Sequence, residues 1–247
     1  MRLSQLLLDM DYTVLQGEQD REISTLVYDS RKVEQDSVFV CISGAVRDGH
    51  DFAPEVAAKG AAVLIVEKEV TVPDEVTVIR VADSRLALAQ LSAAYFDHPA
   101  KELTTIGITG TKGKTTTAYL LSAILRESGH KTGMIGTIAI DTGDGVLPAV
   151  HTTPEAYEIQ KYLAQMVDNG CDTCVMEVSS QGLKMQRVEG IFFDIGMFLN
   201  IEPDHIGEGE HASFAEYLFC KSRLMRQCRI GICLLYTSPS PRDRQKS

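Results

Sequence analysis

The segment 104–117 constrains the fold more than any other part of this sequence. Its apolar run at 104–109 predicts a buried strand, Gly110 and Gly113 predict a tight loop, and a helix is expected to begin at Lys114. Glycines let backbone N–H groups converge on an anion, and a helix N-terminus adds free N–H groups and the positive end of its dipole. The segment therefore predicts a site for the phosphates of a nucleotide.

Two side chains after the loop carry the chemistry that such a site needs. Lys114 can reach the outer phosphates of a nucleotide, and the Thr115 hydroxyl can bind Mg²⁺. The general phosphate-loop pattern has a further glycine in the position that Ile108 holds here. The sequence therefore predicts a shorter loop of the form Gly-Thr-x-Gly-Lys-Thr.

The composition narrows the class of protein. A formal net charge of −10 over 247 residues argues against nonspecific binding to nucleic acid or to acidic membranes. The N-terminal segment lacks the pattern of a signal peptide, and no apolar run approaches the roughly 20 residues of a membrane-spanning helix. We therefore expect a cytoplasmic protein, a monomer with no inserted segment and no nucleic-acid partner. The six scattered cysteines do not indicate a disulfide framework.

Strands that alternate with helices predict an α/β fold with two domains. The Asp97–Ala100 segment interrupts the pattern, so the first domain is expected to span 1–98. The second domain, expected over 99–230, is predicted to be a mostly parallel, incomplete sheet with flanking helices. Residues 231–247 contain Pro, Ser and basic residues, which predicts a non-native or disordered tail.

Within the second domain, hydrophobic periodicity gives the order of the elements. Strands are predicted at 104–109, 132–140, 172–178 and 193–199, and helices at 114–127, 155–168 and 213–227. Thr153 is a candidate N-cap for the middle helix, with Pro154 at its first position.

Three further polar residues stand where a nucleotide site could use them. Glu177 ends an apolar strand, and ligands of open α/β sheets bind at such strand ends. His205 follows the next strand beside Asp204, and Lys221 lies on an amphipathic helix. Each residue alone is more often an exposed carboxylate, a surface or capping histidine, or a solvated lysine. Their significance therefore depends on their order around the phosphate loop.

Together and in this order, these pieces resemble the Mur ligase family, from about residue 24 to about residue 226. The pieces are Asp29-Ser30-Arg31, the loop 110–116, Thr152-Thr153-Pro154, Glu177-Val178-Ser179-Ser180 with Arg187, Asn200 through His205, and Lys221. The N-terminal domain that carries Asp29-Ser30-Arg31 most resembles that of the family branch whose members add the third residue of the peptidoglycan stem peptide. The resemblance implies a small N-terminal α/β substrate domain and a central ATP-binding domain, with the family's C-terminal domain absent.

The resemblance also implies roles for individual residues. ATP would bind on Gly110, Thr111, Lys112, Gly113, Lys114, Thr115 and Thr116. Thr115 and Glu177 would hold one Mg²⁺, and His205 and a carbamylated Lys221 would serve a second. The N-terminal domain would hold the uridine diphosphate end of the substrate near Ser30, and Thr152, Thr153, Ser179 and Arg187 would bind its muramoyl-dipeptide part. Lys114, Lys221 and His205 would be the catalytic residues.

The reaction that the resemblance implies joins an amino acid to a carboxylate. The ATP γ-phosphoryl group would pass to the D-Glu side chain of UDP-N-acetylmuramoyl-L-alanyl-D-glutamate, and the amine of diaminopimelate or lysine would attack the acyl phosphate. Two other ligand-binding functions stay open: a folate-polyglutamate ligase, against which the Asp-Ser-Arg domain argues, and a noncatalytic nucleotide-sugar-binding fragment. An ordinary phosphate-loop GTPase lacks support, because the sequence has no Asn-Lys-x-Asp segment.

Overall fold

The computed structural model describes residues 1–44, 47–207 and 209–234. The chain divides into two compact units, the first spanning Met1–His98 and the second beginning at Pro99. Each unit is built on its own sheet. No helix in the described ranges is both long enough and apolar enough to cross a membrane.

The first unit is a five-stranded sheet with short helices. Its strands are β1 (Thr13–Gln16), β2 (Leu26–Val27), β3 (Ser37–Val40), β4 (Ala61–Val66) and β5 (Thr77–Arg80), and its α-helices are α1 (Leu3–Leu6), α2 (Ala53–Ala58) and α3 (Ser84–Tyr95). The order is β1-β5-β4-β3-β2, with only β1 antiparallel to its neighbour. Every residue of β4 is buried, as its unbroken apolar sequence predicts for a central parallel strand.

The second unit contains a seven-stranded sheet. Its strands are β6 (Thr104–Thr109), β7 (Thr132–Ile135), β8 (Ala139–Asp141), β9 (Val146–Pro148), β10 (Thr173–Glu177), β11 (Phe193–Phe198) and β12 (Cys228–Cys233). The order is β12-β11-β6-β10-β7-β8-β9. The first five in that order are parallel, and β8 and β9 add an antiparallel extension. Because β6 lies between β11 and β10, the loops that follow these three strands meet at one edge of the sheet.

In the described part of the second unit, the sheet is flanked by the α-helices α4 (Lys114–Glu127), α5 (Ala156–Asp168), α6 (Ser180–Lys184) and α7 (Phe214–Arg226). Side chains of α5, α6 and α7 share one core cluster, whereas α4 packs in a separate cluster with Val175 of β10. Successive strand residues face opposite sides of a sheet, so Glu177 points to the same side as Val175. The pleat of β10 therefore turns the Glu177 carboxylate toward the start of α4.

The structure corrects two predictions. Thr153 is not the N-cap of α5, because the helix starts later, with Glu155 as its N-cap. The predicted tail begins too early, because residues 231–233 belong to β12 and pair in parallel with β11. Apolar alternation around Ile230 and Ile232 matches an edge strand there. The rest of the predicted tail, 235–247, lies outside the described residues.

Candidate functional site

The loop between β6 and α4 requires both of its glycines. Gly110 has a φ of +154°, and a Cβ there would lie 3.1 Å from the Leu199 Cβ atom. Gly113, the N-cap of α4, has a φ of +83°, in the left-handed region that L side chains disfavour. Among the described residues no side chain caps α4, so the N–H groups of its first turn keep their capacity to bind an anion.

The segment that follows β11 anchors this loop. The Asn200 side chain accepts a hydrogen bond from the Lys112 N–H (2.9 Å) and donates one to the Lys112 carbonyl (3.0 Å). The Thr111 hydroxyl contacts the Tyr217 hydroxyl at 3.0 Å and accepts from the Glu202 N–H at 3.0 Å. These contacts hold the loop backbone in place before any ligand binds.

Two lysines converge on one backbone oxygen of the loop. Lys114 Nζ and Lys221 Nζ donate to the Gly110 carbonyl at 2.9 and 2.8 Å. Burial lowers the pKa of Lys114, although the Glu177 and Asp204 carboxylates oppose that change. Burial and then the neighbouring Lys114 cation lower the pKa of Lys221 to about 7. The loop therefore brings together two ammonium groups whose charge an anion would stabilise.

Lys221 is the more enclosed of the two. Its side chain is 1 % exposed, and its Nζ atom lies 4.8 Å from the centroid of the Tyr217 ring. A lysine at this depth is not the solvated helix residue that its sequence context alone favours. Its amine is largely neutral once the pH exceeds about 7.

Glu177 forms the carboxylate side of the site. It is fully buried, and its Oε2 atom accepts hydrogen bonds from the Thr115 hydroxyl (2.9 Å) and the Thr137 hydroxyl (3.1 Å). Its Oε1 atom accepts from the Thr137 N–H at 2.9 Å. Hydroxyl and carboxylate oxygens are the ligands that Mg²⁺ prefers, so Thr115 and Glu177 fit that ion.

A cavity of about 400 Å³ opens beside the loop. It brings together Lys114, Thr152, Thr153, Ser179, Arg187 and His205, all of which were predicted from the sequence to contact substrate, nucleotide or metal. Its remaining lining residues are His151, Ser180, Gln181, Gly209, Glu210 and His211. The cavity is therefore polar on most sides and carries cationic groups that suit an anionic substrate.

Part of the cavity wall is tied together by hydrogen bonds within the protein. The Thr153 hydroxyl donates to the Glu177 carbonyl (3.0 Å) and accepts from the Ser179 N–H (2.9 Å). Ser179 caps α6 by accepting from the Gly182 N–H, and Arg187 donates to the Thr153 carbonyl. Because its hydroxyl is buried between two backbone groups, Thr153 positions the Glu177 and Ser179 segments of the wall.

His205 has a different setting from Glu177. Its side chain is 52 % exposed, and its Nδ1 atom lies 3.0 Å from the Glu210 carboxylate. Its φ of +52° places it in the left-handed region. The structure thus joins Thr115 directly to Glu177, whereas His205 contacts the cavity and Glu210.

Ser30 belongs to the first unit and is described there by itself. It begins a 3₁₀ turn, Ser30–Lys32, whose N-cap Asp29 accepts from the Arg31 N–H at 3.0 Å. The Arg31 side chain also donates to Asp29, and this contact lowers the pKa of Asp29 to about 2. The Asp-Ser-Arg segment is therefore a compact turn with an internal ion pair.

Thr137 is a site residue that the sequence reasoning missed. It follows β7, the other neighbour of β10, and contacts Glu177 through both its hydroxyl and its N–H. A Cβ on the preceding Gly136 would lie 2.5 Å from the Glu177 Oε1 atom. A glycine followed by a hydroxyl residue at the end of a buried strand was the available signal.

Comparisons with known proteins agree with this geometry. The family model described as "Mur ligase middle domain" matches residues 108–242, more than half of the chain. The chain belongs to the Mur ligase family. A second model, "Mur ligase family, catalytic domain", matches residues 22–96 of the same Mur ligase chain. The family resemblance stated from the motifs is thereby confirmed.

Several relatives of this Mur ligase chain carry one name. UDP-N-acetylmuramoyl-L-alanyl-D-glutamate--2,6-diaminopimelate ligase of Clostridium perfringens is 44% identical over 232 residues, covering 94% of this chain and 48% of the relative. The enzyme of that name in Bacillus licheniformis is 44% identical over 211 residues, covering 85% and 42%. A solved structure of a ligase of this name aligns with a TM-score of 0.75 at 21% identity, covering 94% of this chain and 47% of its own. The α/β fold is thereby confirmed, and the chain spans about half the length of the curated relatives it matches.

Proposed function

We propose that this chain is part of an ATP-dependent ligase that adds a diamino acid to UDP-N-acetylmuramoyl-L-alanyl-D-glutamate in peptidoglycan synthesis. The observation that carries the proposal is the convergence of Lys114, Lys221 and the uncapped start of α4 on one loop beside the polar cavity. Family membership and the names of the relatives support the substrate, and those names favour 2,6-diaminopimelate over lysine.

ATP would bind on the loop 110–116, with its phosphates on the N–H groups at the start of α4. Lys114 would exchange its bond to the Gly110 carbonyl for the outer phosphates, because a charged acceptor binds an ammonium group more strongly than a neutral carbonyl does. Thr115 and Glu177 would hold Mg²⁺, which offsets the charge of the phosphates when it is bound. The cavity that Lys114 also lines would take the muramoyl-dipeptide end of the substrate.

The reaction would proceed in two steps. A D-Glu carboxylate oxygen attacks the γ-phosphorus of ATP, and the bond from that phosphorus to ADP breaks, giving an acyl phosphate. The amine of the diamino acid then attacks the acyl carbon, the C–O bond to phosphate breaks, and the amine loses a proton as the amide forms. Lys114 stabilises the charge of the transferred phosphoryl group, and buried Glu177 fixes the Thr115 hydroxyl.

We propose that Lys221 acts as a carbamate. A pKa of about 7 leaves a neutral amine that can attack CO₂, with the displaced proton passing to solvent. The product is an anion, which removes the repulsion from the Lys114 cation. His205 would accompany it at a second metal, as the family resemblance implies. Intact-mass measurement of native chain in bicarbonate, with Lys221→Ala as control, should show an added CO₂ only in the unsubstituted chain.

Phosphate release tests the ligase. The purified chain is given ATP, Mg²⁺, UDP-N-acetylmuramoyl-L-alanyl-D-glutamate and either diaminopimelate or lysine, and each substrate is omitted in turn. The proposal is supported if phosphate release requires all three substrates. Glu177→Gln should abolish that release, whereas Glu127→Gln, at the end of α4, should not. If the chain binds ATP and the UDP substrate but releases no phosphate, the result instead supports a noncatalytic nucleotide-sugar-binding fragment. Failure to bind the UDP substrate contradicts both functions.

A further inference from the structure

A second cluster of metal-ligating side chains lies outside the phosphate loop. His211, Glu216 and Cys220 each offer a ligand atom, and these atoms all lie within 4.8 Å of one another. None of the three belongs to the Thr115–Glu177 pair that fits Mg²⁺. The proposed ligase reaction gives Glu216 and Cys220 no role, and His211 enters it only as a lining residue of the polar cavity.

The local fold sets the spacing of the cluster. The Ser213 hydroxyl caps α7 by accepting from the Glu216 N–H at 3.2 Å. Glu216 and Cys220 are four residues apart on α7 and therefore lie one above the other on the same side of the helix. His211 precedes the helix, and its ring packs edge-to-face on Tyr217 with centroids 5.2 Å apart.

His211 is the observation that points to a ligand. Its side chain is 1 % exposed, and neither ring nitrogen has a hydrogen-bond partner among the described residues. Burying a polar ring without hydrogen-bond partners is costly, and coordination of a metal ion by the ring is one way to offset that cost. Burial, followed by the nearby Lys184 cation, lowers the pKa of His211, so the ring is in the neutral form that binds metals.

The other two ligands define the kind of ion. Cys220 is buried, and burial raises the pKa of its thiol, so the thiol proton would pass to solvent as a metal binds. The Oε2 atom of Glu216 accepts a hydrogen bond from the Ala212 N–H, and its Oε1 atom pairs with Lys184. A metal bound at Oε1 would displace the Lys184 ammonium group. Nitrogen, sulfur and oxygen ligands together suit Zn²⁺, whereas Mg²⁺ takes oxygen ligands alone.

We propose that His211, Glu216 and Cys220 form a zinc site with three protein ligands. Tetrahedral Zn²⁺ needs ligand atoms roughly 3.5 Å apart, so the cluster must contract by about 1 Å, within the reach of small side-chain rotations. Three-ligand zinc sites complete their tetrahedron with water or a bound molecule. His211 also lines the polar cavity, which places one ligand of this site on the wall of the proposed substrate site.

Cobalt substitution tests this site in the 247-residue chain. Co²⁺ added to the reduced chain should bind in one equivalent and give a thiolate-to-cobalt charge-transfer band, which Zn²⁺ removes and Mg²⁺ does not. Cys220→Ser should lose this band. Cys228→Ser, a matched control at the half-buried cysteine next along the chain, should keep it. Cobalt at Thr115 and Glu177 gives no such band, because neither residue is a thiolate.

Folding is checked separately, since Cys220 is buried. Circular dichroism of each variant establishes its fold, and Glu216→Gln, at a partly exposed position, provides a second variant. Glu216→Gln should weaken Zn²⁺ binding at least about tenfold in a competition with a chromophoric chelator. An absent band in the unsubstituted chain, an unchanged band in folded Cys220→Ser, or unchanged Zn²⁺ affinity in Glu216→Gln would overturn the proposal.

Discussion

Two glycine loops, one in each unit, follow the carboxyl ends of parallel strands. They differ in whether their cationic groups have a carboxylate partner. The loop after β3 ends at Asp48, whose carboxylate accepts from the His50 N–H (3.0 Å) and from Lys68 Nζ (2.6 Å). The His50 Nδ1 atom lies 2.6 Å from the same carboxylate. This loop therefore contains the anion that its donors need.

In the loop after β6, Lys112 pairs with Glu202 at 2.8 Å, but Lys114 and Lys221 have no carboxylate partner among the described residues. Lys114 and Lys221 both turn to the neutral carbonyl of Gly110, and α4 starts without a side-chain cap. The Glu177 carboxylate accepts hydrogen bonds from the hydroxyls of Thr115 and Thr137. The comparison teaches that a phosphate site is marked less by its glycines than by positive charge that the fold leaves uncompensated.

The largest expected effect is on MgATP binding, and it compares a lysine of the second loop with the lysine that pairs with the first. Lys114→Ala should weaken MgATP binding about 10- to 100-fold, because it removes hydrogen bonds from a cation to phosphate. Lys68→Ala, which removes the cation of the first loop, should leave that affinity unchanged. Isothermal titration calorimetry of both variants measures the contrast. Equal losses in the two variants would break the comparison.

The second prediction concerns pH and the buried amine. The folded pKa of Lys221 is about 7, and an unfolded lysine titrates near 10.4, so both states hold the proton below pH about 7. Between these values the unfolded state alone is protonated, and the free energy of unfolding should rise with pH. Urea unfolding across this range should show a rise that is smaller in Lys221→Met. Lys161→Met, on the exposed face of α5, serves as the control.

If Lys221→Met retains the full rise, the two-lysine account of the loop fails. The remaining slope in that variant is expected to come from Lys114, whose pKa is also lowered by burial. Measurements in degassed buffer and in bicarbonate separate proton release from carbamate formation. Only the carbamate depends on dissolved CO₂.

The third prediction removes the anion of the first loop. Asp48→Asn should lower the free energy of unfolding by about 1–3 kcal/mol, because the buried His50 ring loses a charged partner. The Lys68 contact holds the pKa of Asp48 below its usual range, so this stabilisation is present above pH about 4 and is lost as the pH falls. Chemical denaturation at neutral and acidic pH measures both features. Asp51→Asn, which changes an exposed carboxylate three residues along the chain, should alter the free energy of unfolding little.

Local patterns were sufficient for the parts of the site that adjoin a strong signal. The helix predicted at 114–127 has those bounds in the structure, because a glycine loop fixes its start and Gly129 follows its end. Glu177 was placed at a strand end from an apolar run alone. The alternation along β10 then determines which side of the sheet its carboxylate faces.

Other parts depend on strand order, which local patterns do not contain. Thr137 reaches Glu177 only because β7 pairs with β10, although about forty residues separate the two strands in sequence. Thr153 matches an N-cap pattern, but its hydroxyl bonds to Glu177 and Ser179 instead. Tertiary contacts outweigh a capping preference worth about 1 kcal/mol.

The smallest expected effect tests why the second loop requires a glycine at position 113. The requirement could come from the backbone φ or from the space available for a side chain. Gly113 has a φ of +83°, and a Cβ there would meet only the Leu199 Cδ1 atom, at an ordinary 3.8 Å. Gly113→Ala should therefore lower the free energy of unfolding by about 1–2 kcal/mol, through left-handed strain alone. Gly113→Asn should lower it less, since Asn tolerates this conformation better.

Urea unfolding of the two variants decides between the explanations. If steric space set the loop, the larger Asn side chain would destabilise the chain more than Ala does, which is the reverse of the expected order. Gly49, which directly follows the first loop, provides the opposite case, because a Cβ there would lie 2.6 Å from the backbone nitrogen of Ile42. Gly49→Asn should therefore be no better tolerated than Gly49→Ala. Gly113 would then be required for its φ and Gly49 for the space around it, so the two loops and their borders would differ in backbone requirements as well as in charge.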